Sequence, residues 1–164
     1  MRRIRVLAYD PSDDLLTLPD IQVQRDAWDR PDTVLADLRS KSDLYGPFKP
    51  GETSELRGRR VRVAGTFDLG TDFRSNGTLL MSESNFLSFF PERRIGREGT
   101  PIVDVGVIRL RPGTAEGPLI EAIRRELPPD VVVLTRSEFI EKERMFWESV
   151  APIGVVFDIG VVMG

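Results

Sequence analysis

Between Glu55 and Phe67 the side chains alternate: Val61 and Val63 are apolar, Arg60 and Arg62 are charged, and Gly65 and Ala64 continue the pattern. A period of two puts the two sets on opposite sides of a pleated strand, so the stretch reads as antiparallel sheet with one buried and one wet face. Gly58, with polar neighbours, marks a hairpin turn after Leu56. The chain must therefore build a sheet, and the remaining segments must supply its other strands and its cover.

Arg3 to Tyr9 alternates charged and apolar residues and runs into the turn cluster Asp10-Pro11-Ser12-Asp13, which predicts a strand and a loop. Asp14 to Trp28 reads as two short helical pieces around Pro19, and Pro31 to Ala36 as a short strand through Thr33, Val34 and Leu35. Leu38 to Lys49 is turn-rich and irregular, and Asp68 to Gly77 is a loop. Thr78 to Met81 is a strand, after which Ser82 and Ser84 offer N-caps for a helix over Asn85 to Phe90, stopped by Pro91. The polar, Gly-punctuated stretch Arg93 to Pro101 is a connector.

Beyond it, Val103 to Arg111 reads as a strand and Glu116 to Leu127 as a helix with Pro118 in its first turn and Leu119, Ile120, Ile123 and Leu127 on one face. Val131 to Leu134 reads as a short strand buried on both faces, which would complete a βαβ unit with a right-handed crossover and parallel strands. Thr135 and Glu138 fit a capping box, opening a helix that carries Phe139, Ile140, Phe146, Trp147 and Val150 on a related stripe. The predicted fold class is α+β: a strand-rich lobe over residues 1–101, then a βαβ-plus-helix lobe over 102–150.

Composition narrows the chemistry. The 164 residues are 40% hydrophobic and 30% charged, which suits a folded chain and excludes wholesale disorder. A formal charge of -3, with Asp and Glu close to most of the Arg clusters, gives no electrostatic footprint for nucleic acid. The chain has no Cys and no His, so it lacks disulfides, a thiol nucleophile, a zinc ribbon and the usual triads. No phosphate-binding G-x-x-x-x-G-K-[ST] loop occurs, and the glycines at 65–70 and 96–99 make no dinucleotide fingerprint. The carboxylates Asp13 and Asp14, or Asp68 and Asp72, are candidates for an acid/base couple or a hard-cation site, but turn formation explains them better. Phe86, Phe89 and Phe90 could stack on a ligand, but their helical spacing makes them a core stripe. No catalytic, cofactor or metal-binding residue is assigned.

Ile153 to Gly164 is nearly all apolar apart from Asp158. A bilayer span takes about 20 apolar residues, so this run is too short to cross by itself. Read alone, it is equally a buried C-terminal element and the beginning of a membrane helix, with Trp147 where interfacial aromatics lie. Met1 to Tyr9 is too short and interrupted for a signal peptide.

Taken in order, these segments resemble DevC-type permeases of ABC transporters. The resemblance rests on Phe67-Asp68-Leu69-Gly70-Thr71-Asp72-Phe73, Asn85-Phe86-Leu87 with Phe90-Pro91-Glu92-Arg93, and Gly106 to Gly113. It continues through Leu127-Pro128, Val133-Leu134-Thr135-Arg136, Glu138-Phe139 and Phe146-Trp147 to Pro152-Ile153-Gly154, Phe157, Gly160-Val161 and Met163-Gly164. It implies a MacB-like periplasmic core domain, with a sabre-like lobe over 1–101, a porter-like lobe over 102–150 and the start of a truncated membrane helix over 151–164. The implied function is the non-catalytic extracytoplasmic part of an export permease at the inner membrane, on its periplasmic side. Its implied partners are a separate ABC ATPase subunit, a membrane-fusion adaptor and a TolC-type channel, with glycolipid or lipid-like cargo. Asp158 departs from the family's apolar or small residues. Residues 103–135 would need partner strands or dimerisation to cover an exposed edge. The rivals are a free-standing binding or adaptor domain derived from such a permease, and a small carboxylate enzyme built on Asp68 and Asp72.

Overall fold

The computed structural model of the chain describes residues 3–70, 75–95 and 101–150. Thr71, Asp72 and Phe73, most of the 93–101 connector, and the 151–164 run with Asp158 lie outside the described residues, as does the Trp147 side chain. The chain divides into two compact units, Met1–Val107 and Ile108–Gly164.

The first unit is built on a five-stranded mixed sheet, and the α+β class read from the sequence is what the chain adopts. Its elements are β1 (Arg5–Tyr9), α1 (Pro19–Gln22), α2 (Arg25–Trp28), β2 (Thr33–Asp37), α3 (Ser42–Tyr45), β3 (Thr53–Leu56), β4 (Arg59–Phe67), β5 (Thr78–Ser82), α4 (Glu83–Phe89) and a 3-10 turn over Pro91–Arg94. The spatial order is β1-β5-β2-β4-β3. The pairs β1/β5 and β2/β4 are parallel, while β2/β5 and the β3/β4 hairpin are antiparallel. Both expected helical pieces follow Leu18 rather than flanking Pro19, because proline is tolerated in a first helical turn.

β2 and β5 occupy the middle and are buried throughout, so both faces need cover. Val34, Ala36, Val61, Val63, Leu79 and Met81 face α4, where Phe89 closes the layer. Leu35, Leu80 and Phe67 face Ile21 of α1 and Trp28 of α2. Leu35, Leu80 and Phe67 are wholly inaccessible; full burial stabilises such side chains by about 1.5–3 kcal/mol each.

β4 does not keep the single alternation that its sequence suggests. The β2/β4 register shifts between Val34 and Leu35: Val34 pairs with Val63, but Leu35 pairs with Gly65, and Ala64 is the extra residue. A bulge of one residue exchanges the faces. Val61 and Val63 therefore serve the α4 side, whereas Phe67 serves the α1/α2 side.

In the second unit, α5 (Glu116–Glu126) and α6 (Arg136–Val150) form where expected. The two strands of the predicted βαβ unit do not: residues 103–111 and 131–134 are assigned to no strand. Val103, Val105 and Val107 are 72%, 73% and 64% exposed, and Val132 is 66% exposed. Helices satisfy their backbone groups internally and stand without neighbours, whereas a strand exists only through its ladder. Neither segment is paired into the five-stranded sheet, so the apolar pattern that predicts two strands yields irregular chain.

Candidate functional site

Of the carboxylates considered from the sequence, Asp13, Asp14 and Asp68 each make separate local contacts. Asp68 forms an ion pair with Arg39 at 2.6 Å on the surface, and its candidate partner Asp72 lies outside the described residues. Asp14 pairs with Arg25 at 2.6 Å, while the backbone N–H of Asp13 closes a turn onto the Asp10 carbonyl.

The aromatic run behaves as core. Phe89 is buried, and Phe86 and Phe90 stack with centroids 4.6 Å apart while packing on the α4-side cluster. Two guanidinium groups cover their outer surfaces: Arg57 lies 4.9 Å from the Phe90 ring centre and Arg59 4.3 Å from that of Phe89. Both cations are also held by acids, Arg57 by Glu92 and Arg59 by Asp32. These contacts pin the hairpin to α4.

One feature escaped the sequence. Where β1 and β5 end side by side, a cleft of about 580 Å³ opens, lined by Asp10, Asp26, Asp29 and Glu83 with Arg25 and Ser84 among its other walls. The parallel pairing of β1 with β5 creates it, because that pairing sets the Asp10 turn beside the start of α4. Asp10 accepts hydrogen bonds from the Ser12 hydroxyl at 2.7 Å and the Ser12 N–H at 2.8 Å. Those bonds favour its ionised form and hold its carboxyl below the ordinary range. Among the described residues no group of three or more acidic side chains is arranged to hold a metal ion. The cleft is thus an acidic recess with the Ser12 and Ser84 hydroxyls in its wall.

The second unit presents a rod. Thr135 and Glu138 make the reciprocal capping box: the Thr135 N–H donates to Glu138 Oε2 at 2.7 Å, and the Glu138 N–H donates to Thr135 Oγ1 at 3.0 Å. Further along α6, Arg144 joins Glu141 at 2.5 Å and Glu148 at 2.6 Å, one turn to either side. Phe139, Ile140, Met145 and Phe146 remain exposed. Among the described residues no helix is long and apolar enough to cross a membrane.

Comparison of the chain with protein-family models, with curated proteins and with solved structures finds no match.

Proposed function

We propose that the chain is the non-catalytic extracytoplasmic part of a DevC-type ABC exporter permease. In this reading it sits at the inner membrane on the periplasmic side and couples ATP-driven membrane-helix motion to an adaptor. The reading rests on the ordered resemblance, and one structural observation supports it above the others. α6 is a helix capped at its start and cross-linked by Arg144, and it leads in sequence directly towards the apolar run 153–164. Its 15 residues make a rod of about 22 Å at roughly 1.5 Å per residue. A rigid element of that length is what transmission of a two-state movement requires.

The partners that follow are an ATPase subunit, a membrane-fusion adaptor and a TolC-type channel, with a lipid-like cargo. The expected apolar anchor is tested by flotation with lipid vesicles, using the chain with and without residues 151–164. The longer form floats and the shorter stays in solution if the reading holds; two fully soluble, monomeric forms would sink it.

A free-standing binding or adaptor domain derived from such a permease is the second reading. The observation that favours it is the sheet of the first unit, which has a core on both faces and needs no membrane for its burial. Under that reading, removal of residues 151–164 changes neither partitioning nor association.

A further inference from the structure

We infer that Arg124 is a positioning residue that fastens α5 to the start of α6, so that the turn between them is a charge-held joint rather than a slack hinge. The second unit gives apolar packing little purchase on this geometry. No side chain described in α5 is fully buried: Leu119, Ile120 and Ile123 are half-buried, as are Val133 and Leu134 of the connecting segment, while Val131 and Val132 are exposed. Polar links then help to set how the helices meet, and Arg124 makes one that leaves its own helix. Its Nη1 is oriented by Glu121 at 3.1 Å, within α5, while its Nη2 donates to the Val133 carbonyl at 3.0 Å.

Val133 lies two residues before Thr135, which begins the α6 capping box. The positive charge of Arg124 is also felt at Glu138, the carboxylate that closes that box. The arrangement suits both helix dipoles at once. Arg124 occupies the last turn of α5, where a cation is favoured, and stands near the acid that caps the positive end of α6. Arg125, beside it, serves as the internal comparison, since its Nε donates to the Glu121 carbonyl within α5.

The consequence for function rests on the permease reading, in which α6 carries movement: a fastened joint passes that movement to α5, and a slack one absorbs it. The joint itself is tested without a membrane. Spin labels at the exposed positions Ala122 and Lys142 report the α5–α6 separation in the full chain. The wild-type distribution is expected to be narrow. Arg124→Gln should broaden it by shifting the fastened-to-free ratio about fivefold, and Arg124→Lys should restore part of the narrow component. About 1 M salt should screen the Arg124–Glu138 attraction, because the Debye length there is about 3 Å, and should leave the Val133 hydrogen bond in place. Arg125→Gln should leave the distribution narrow. Circular dichroism confirms that each variant keeps its helices. An unchanged distribution in Arg124→Gln, or equal broadening in Arg125→Gln, overturns the proposal. Vesicle flotation of the same labelled chain is scored separately, so failure to bind lipid removes the permease reading while leaving the joint standing.

Discussion

The side-chain oxygen of Asn85 accepts the backbone N–H of Asp32 at 2.9 Å, across 53 positions of sequence. The same amide group donates to the carbonyls of Arg30 at 2.8 Å and of Trp28 and Thr33 at 3.3 Å. A buried side chain in the first turn of α4 thus serves both donors and acceptors of the turn that leads into β2. That turn holds Asp32 at φ 57°, a left-handed conformation disfavoured for most side chains. It also holds the acid that pairs with Arg59. Asn85 therefore connects α4, the entry to the central strand and the hairpin in one network.

Asn85→Leu should cost about 2–4 kcal/mol, since it strands a buried N–H and several carbonyls while filling similar volume. Urea unfolding monitored by fluorescence of Trp28, which is buried beside this turn, gives the number. A loss near zero would mean that water replaces the network without penalty.

Asp37 presents a second buried polar node. Its wholly buried carboxylate accepts the N–H groups of Arg39 at 3.1 Å, Leu69 at 3.2 Å and Gly70 at 3.0 Å, tying the end of β2 to the loop that follows β4. Asp37→Ala should destabilise by about 2–3 kcal/mol, with Asp37→Asn intermediate because its NH2 group cannot accept from those donors. Hydrogen exchange at Leu69 and Gly70 should accelerate by more than about tenfold in the alanine variant. Unchanged protection there would show that the loop is held by something else.

What the sequence disclosed is what is local. The β3/β4 hairpin is written in Arg57-Gly58: both have positive φ, as a two-residue type I′ turn demands, and Gly58 signals it. The Thr135/Glu138 box spans three residues and forms as read. The bulge at Ala64 was not legible, because it reflects the register against β2 and not the residues of β4 themselves. The acidic cleft was hidden for the same reason, since Tyr9 lies beside Ser82 only once the sheet has formed. Residues 103–111 and 131–134 failed in the opposite direction. The pattern of 103–111 and the apolar run of 131–134 are strand-like, but pairing supplies the energy of a strand, and the sequence of one strand does not identify its partner.

Two glycines, Gly65 in β4 and Gly77 just before β5, should respond differently to alanine. A Cβ on Gly77 would lie 2.5 Å from Ser40 Oγ and 2.7 Å from Ser40 Cβ, and Ser40 accepts the Thr78 N–H, so the neighbour cannot simply swing aside. A Cβ on Gly65 would collide chiefly with the far end of Gln24, which can rotate away at the expense of its bond to the Thr66 carbonyl. Gly77→Ala should therefore lose about 2–3 kcal/mol and Gly65→Ala about 1 kcal/mol. Equal losses in thermal unfolding would contradict the difference in neighbours.

Acid should unfasten α6 from its first turn. Glu138 titrates below the ordinary glutamate value of 4.5, first because of its hydrogen bond with the Thr135 backbone and then because of the Thr135 side chain, with a smaller contribution from Arg124. A carboxylate whose pKa is lower folded than unfolded stabilises the folded form above the unfolded value. That contribution is lost as pH falls below 4.5 and through the depressed folded value. The group is fully exposed, so the effect is confined to the helix end and is weakened by salt. Amide exchange in the first turn of α6, corrected for its intrinsic pH dependence, should lose protection between pH 5 and pH 3 by about twofold to fivefold, the scale of a single cap in a solvated helix. Glu138→Gln should already be less protected at pH 7 and should show a flatter profile, because glutamine retains a weaker acceptor and no charge. Glu141 also titrates low, through Arg144, but it lies outside the cap, so Glu141→Gln should leave the first-turn profile intact. A first turn equally protected at pH 3 and pH 7 would show that the reciprocal Thr135–Glu138 bonds do not secure the start of α6.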